Sequence, residues 1–375
     1  MNTRVAIVLL TVACSAPPQV DAGVEPDAGV AEDAGQPEDA GTPDAGTEVV
    51  DAGPVTATVF PRVGAATDSE LQPQGPGLIL GGGGTDVDAA FVWMRQQLSA
   101  DALTRLGDVV VLRASGADGY TQYIYDLAPF NSVQTVLLPP PSTLADLRLA
   151  ASLVDKAEAV FFAGGDQSRY AAWAGTELLS AVQRVYDRGG VVGGTSAGLA
   201  MLGEYVYDAR TGSATSSEAL ANPYAASISF TRGALRFPFL AGAITDSHFR
   251  PRDRFGRLTA FMARQQASSI LGIGVDEQTS VVVDKTGRAT LLRQGASTGA
   301  AYFVVGGMAT QLQAGQPLVY PGLTVLRLDA AGQYYDLPRR CGTGRSYGLS
   351  VDARAADPYG GVNPYTAAGV TGTCP

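Results

Sequence analysis

The chain has 375 residues, 46% of them hydrophobic and only 17% charged, enough apolar material for one large core or two ordinary ones. Its formal charge of −10 is local, because residues 21–51 hold ten Asp or Glu and no Lys or Arg. Without that stretch and Arg4, 26 acids face 25 bases, and such a near-neutral remainder carries no electrostatic footprint for nucleic acid.

In chain order, residues 1–14 (MNTRVAIVLLTVAC) read as an export signal, with Arg4 ahead of an apolar run from Val5 to Ala13. That run is too short to span a bilayer and has the length of a signal core. Ala13 directly before Cys14 resembles a bacterial lipoprotein cleavage site, so Cys14 is the expected lipidation position. Thr11 departs from the leucine usual in such signals, and an ordinary cleaved signal is the alternative. Either form sends the chain to the cell envelope or the medium. Residues 15–54 repeat VDAG, PDAG and EDAG units with no aromatic residue, a composition that predicts a disordered, self-repelling tether.

A globular domain is expected over residues 55–375. Gly77–Gly83 reads as a strand entering a glycine-rich turn, and Asp86–Leu98 as a helix with Asp86 its N-cap. Strands are predicted at Asp108–Ala114, Gln134–Leu138 and Ala159–Ala163, with helices at Leu144–Ala157 and Glu177–Asp187. Val191 and Val192 lead into a GTSAG turn, followed by a helical stretch from Leu199 to Glu204. Near-continuous apolar strands separated by helices predict an α/β fold, a mostly parallel sheet flanked by helices. From about residue 270 the texture becomes hairpin-like, so a β-rich C-terminal part is expected, extending the main sheet or forming an annex. With Cys14 lipidated, Cys341 and Cys374 are an even pair, and an oxidising compartment predicts a disulfide between them.

Gly194-Thr195-Ser196-Ala197-Gly198 is a G-x-S-x-G pentapeptide between a strand and a helix, the setting of a nucleophile elbow. A serine nucleophile needs a base, and His248 is the single histidine. It ends an apolar run and precedes Arg250, Arg252, Arg254 and Arg257, a polar cluster at the kind of strand end where ligands collect in open α/β sheets. The strand at Ala159–Ala163 runs into Gly164-Gly165-Asp166-Gln167. Gly165 and Ala197 N–H groups are the expected oxyanion donors, and Gln167 is expected to hydrogen-bond substrate. One histidine and no CxxC pattern give no reason for a metal, and no organic cofactor is expected.

Four stretches together, FFAGGDQ (161–167), GGTSAG (193–198), DSHFRPRDRFGRL (246–258) and GIGVDEQT (272–279), resemble the cyanophycinase and aspartyl dipeptidase family of serine peptidases. The likeness spans 77 to about 306 and is nearer the cyanophycinase branch, in the spacing of Arg252, Arg254 and Arg257 after His248. The resemblance implies a glutaminase-like α/β fold, a triad in the order Ser, Glu, His, and hydrolysis at an aspartyl residue, in cyanophycin a β-Asp-Arg unit. On that order the acid lies among Glu204, Asp208, Glu218 and Asp246, and Glu218 has the family's distance from Ser196. Asp246, Gln167, Arg252, Arg254 and Arg257 are then expected around the substrate, while Asp276 and Glu277 read as structural support. Ser247 stands where the family commonly has glutamine, which bears on cyanophycin as substrate.

The expected partners are a peptide or cyanophycin-like polymer and a membrane reached only through the lipid anchor; a homodimer is left open. Two rival readings are an α/β-hydrolase esterase or lipase, and an inactive surface binding protein on the same fold. The esterase would place its histidine after the last sheet strand, whereas His248 precedes a long C-terminal stretch.

Overall fold

The computed structural model describes residues 53–374 apart from 102 and 268. The export signal, Cys14 and all but the end of the acidic repeat lie outside the described residues. Two sheets carry the fold. In the first, five parallel strands run in the spatial order Ser132–Leu137, Asp108–Arg113, Ala159–Phe162, Val191–Thr195 and Gly77–Gly81. Antiparallel Thr279–Val283 continues it beside Gly77–Gly81, followed by Arg288–Arg293. The second sheet centres on Ala243–Asp246, parallel to Leu271–Val275, which then pairs antiparallel with Ala301–Val305, and that with Val319–Leu328.

Alternation along each strand builds the layers. Leu78 and Leu80 face the core shared with the second sheet and the Leu144–Val154 and Glu177–Asp187 helices, while Ile79 faces the Asp88–Leu98 helix. In the second sheet, Ala301 and Phe303 look inward to that core, and Tyr302 and Val304 pack toward the Phe255–Arg264 helix. The expected α/β architecture is present, with a parallel sheet and a β-rich C-terminal part. Both forms expected of that part occur, since Thr279–Val283 extends the first sheet and Ala301–Val305 joins the second. An annex and a strand end before His248 are legible in the sequence, but not their union in one second sheet with Tyr205–Tyr207, whose run is three residues long. Asp86 is also not the helix N-cap; Val87 holds that position and the helix starts at Asp88.

Candidate active site

Ser196 ends the Val191–Thr195 strand with φ 53° and ψ −116°, a backbone conformation costly for any residue with a Cβ. The glycines around it make the bend fit. A Cβ on Gly198 would meet the Phe162 carbonyl oxygen, and one on Gly194 would meet the Gly198 backbone. The Ser196 N–H is held by the Gly81 carbonyl at 3.0 Å, and Ala197 opens a four-residue helix with its first-turn N–H groups free of intrahelical partners.

His248 follows the Ala243–Asp246 strand of the other sheet and also has positive φ, 45°. Its N–H bonds the Gly82 carbonyl at 2.7 Å, and its ring lies where a Cβ on Gly83 would stand. The glycine-rich turn after Gly77–Gly81 is therefore the floor beneath both residues. Ser196 Oγ is 2.7 Å from His248 Nε2. His248 Nδ1 is 2.6 Å from Glu277 Oε1. Burial pushes the imidazole down to about 4, aided by the Arg252 and Arg254 charges and opposed by Glu277, so the ring is neutral at pH 7.

Glu277 lies in the short link that carries the chain from Leu271–Val275 in one sheet to Thr279–Val283 in the other. This overturns two expectations. Glu218 is exposed and committed to the cap of the Ser216–Ala221 helix, where its carboxylate accepts the Thr215 N–H at 2.8 Å and hydroxyl at 2.9 Å. Glu277, read as structural support, is the carboxylate that meets the histidine, so the chain order is Ser, His, Glu. Its neighbour Asp276 does have the supporting role: buried, it accepts the Arg250 N–H at 2.8 Å and the Ala300 N–H at 2.9 Å.

The polar residues after His248 divide. Arg257 is 2% exposed, clasps both Asp246 oxygens at 2.7 and 2.6 Å, and turns its remaining nitrogen to Ser213 and the Ala214 carbonyl. A buried guanidinium that spends four of its five N–H donors on Asp246, Ser213 and Ala214 ties strand to helix, which corrects the placing of Asp246 and Arg257 around the substrate. Arg254 bonds the Ser247 carbonyl at 3.0 Å, and its burial brings it down to about 10. Buried Ser247 donates its N–H to Asp246. Arg252 remains half-exposed, 3.9 Å from Glu277. Gln167, partly exposed, sits in the first turn after the Asp166 cap with its side chain unbonded among the described residues. Gly164 faces Ser196, with a Cβ there falling 3.5 Å from Ser196 Cβ, and Gly165 is exposed beside it at φ 145°. The arrangement offers an accessible hydroxyl, a neutral imidazole aligned with it, and a carboxylate aligned with the imidazole: the parts of nucleophilic acyl transfer.

Residues 139–291 match the model of peptidase family S51. This segment, less than half of the chain, is what resembles the family. Its sequence is 30% identical over 147 residues to a cyanophycinase of Geminocystis herdmanii, covering 39% of this chain and 50% of that one. With a cyanophycinase of Synechococcus elongatus it is 32% identical over 141 residues, 37% of this chain and 40% of that one. The chain thus spans half or less of the length of these relatives. A peptidase structure from an acI-B1 Actinobacterium superposes with a TM-score of 0.44 at 16% identity, over 71% of this chain and 98% of that one. The S51 segment contains Ser196, His248 and Glu277, all three residues of the hydrogen-bonded series.

Proposed function

We propose that this cyanophycinase-like protein is an exported serine peptidase that hydrolyses aspartyl or β-aspartyl amide bonds through an acyl-enzyme on Ser196. The observation that carries the reading is the continuous series Ser196 Oγ, His248, Glu277, with bonds of 2.7 and 2.6 Å. Neutral His248 takes the serine proton as Oγ attacks the amide carbonyl, and Glu277 stabilises the imidazolium that forms. The N–H groups of Gly165 and Ala197 receive the oxyanion. His248 then protonates the leaving amine, and water attacking the ester on its return path frees the acyl group. Arg252 and Gln167 are the polar side chains left to meet substrate. The cyanophycinase relatives support an aspartyl substrate, and Ser247 in place of glutamine weighs against cyanophycin itself. Residues 1–14, with Cys14, support export and a lipid anchor, with the 15–54 repeat as the spacer.

The test is hydrolysis by the purified protein of insoluble cyanophycin and a panel of β-aspartyl dipeptides, beside Ser196→Ala and His248→Ala. Release of β-Asp-Arg by the parent alone is the result for a cyanophycinase. Cleavage restricted to other isoaspartyl peptides keeps the mechanism and moves the specificity. Cleavage of esters alone, or of nothing, sinks the peptidase reading.

A further inference from the structure

A cavity of about 260 Å³ lies between the last strands of the two sheets. Its floor is one row of cross-strand neighbours in the second sheet: Phe303 pairs with Leu326, Leu326 with Ser346, and Ser346 with Val370. The row is graded. Phe303 is buried at its inner end, Ser346 is half-buried, and Val370 is 71% exposed at its mouth. The first sheet supplies a wall of Tyr335, from Tyr334–Asp336, and Arg340, which precedes Cys341–Gly342. The Tyr335 ring lies flat on Phe303, with centroids 4.1 Å apart and planes 9° from parallel. Arg340 Nη2 donates to the Ala241 carbonyl at 3.0 Å, ahead of Ala243–Asp246, whereas His248 follows the other end of that strand. The cavity is therefore separate from the triad.

Two buried donors in that wall have no acceptor among the described residues: the hydroxyl of Tyr335, a residue 1% exposed, and Arg340 Nη1. Leaving such groups unpaired is costly, so two of them in one wall mark a place for something that accepts. Arg340 also differs from Arg257 and Arg327, which meet Asp246 and Asp329. It has no carboxylate at ion-pair distance among the described residues, and Asp336, the nearest acid along the chain, receives the Arg339 N–H instead. Burial lowers the Arg340 guanidinium and pushes the Tyr335 hydroxyl up to about 12, against the pull of the nearby Arg340 charge. Both groups therefore keep their protons at pH 7. Arg340 holds φ 54°, a left-handed backbone that a residue with a Cβ adopts only under constraint, and such strain gathers at ligand clamps.

Two donors, one of them positively charged, call for an acceptor of negative charge, and the inner end of the floor calls for hydrocarbon. Water serves either donor but leaves the guanidinium without a counter-charge. A monatomic anion leaves most of the cavity unfilled. We propose that this cavity binds a small monocarboxylate, its carboxylate held by Arg340 and Tyr335 and its short apolar chain laid over Phe303 and Leu326 toward the mouth. The site has no part in the peptidase steps and stands independently of them.

The test is calorimetric titration of the full chain with sodium hexanoate, hexanamide and sodium chloride. Hexanoate should bind at least ~10-fold more tightly than hexanamide, which has the same chain without the charge. Arg340→Met should weaken hexanoate by at least ~10-fold and remove its advantage over hexanamide. Tyr335→Phe keeps the ring that stacks on Phe303, should weaken hexanoate by a smaller factor, and decides the matter if Arg340→Met does not fold. Arg252→Met, which removes the half-exposed guanidinium beside Glu277, should leave hexanoate binding unchanged. No binding of hexanoate, equal binding of hexanoate and hexanamide, full affinity in Tyr335→Phe, or loss of binding in Arg252→Met overturns the site. Chloride binding as tightly as hexanoate overturns the monocarboxylate.

Discussion

Glu277 has a side chain one-third exposed beside a histidine whose side chain is 10% exposed, and that asymmetry sets the electrostatics of the site. Desolvation lowers the imidazole more than the carboxylate raises it. The acid limb of kcat/KM should therefore fall near pH 4 and not near the ordinary histidine value of about 6.5. A limb at 6 or above would show that His248 is not the base or is not so desolvated. The same depression implies stability that is fully present above about pH 6.5 and is lost as pH falls toward the folded value of about 4. Glu277→Gln should lower kcat about 10³- to 10⁴-fold, since the amide cannot stabilise the imidazolium. It should also move the acid limb down, because the carboxylate is the group that raises the imidazole. Three non-glycine residues around the site, Ser196, His248 and Gln278, have positive φ, so the backbone there is held by its surroundings against local preference.

The two elements that flank the loop after His248 show why motif residues are not all site residues. The Ser216–Ala221 helix starts in a capping box, so Glu218→Ala should cost about 1 kcal/mol of stability and leave kcat alone. The Phe255–Arg264 helix has no side-chain N-cap and is tied at its first turn by Arg257 to Asp246 on the adjoining strand. Arg257→Met leaves Asp246 buried without its main partner and should cost roughly 3–5 kcal/mol in urea unfolding. The exposed Arg252→Met should cost almost nothing and act on KM. A stable Arg257→Met protein with altered KM would return that arginine to the substrate pocket. The arginine spacing after the histidine is legible in the sequence, but which guanidinium points inward depends on how the helix docks on its strand.

At the scale of the molecule, the last strands of both sheets are joined. Cys341 lies in the Cys341–Gly342 strand of the first sheet and is bonded to Cys374, just beyond Val370–Thr371 of the second. Between them, the Tyr365 hydroxyl accepts the Phe255 N–H and donates to Asp253, both in the segment after His248. Closing a loop across a sequence separation of 33 is worth about 3–4 kcal/mol, so reduction of the disulfide should lower the unfolding midpoint accordingly. An unchanged midpoint would show that the two sheet edges hold each other without the covalent link.

The parallel sheet and the meeting of Ser196 with His248 are legible in the sequence, because each follows from local chemistry: a strand, a glycine-bounded serine, and a single histidine. A local signal misassigned Asp86 as a cap, and the chain order implied by the family resemblance misassigned Glu218 as the acid. An N-cap and a triad acid differ by what the carboxylate meets across space: Asp86 meets Tyr120, 34 residues on, whereas Glu218, among the described residues, meets only its neighbour Thr215. Glu277 is 29 residues past His248, at a crossing between two sheets that the sequence showed only as a change of texture. Residue type and strand ends are properties of the chain; the second sheet, the crossing and the partner of each carboxylate exist only once those strands pack.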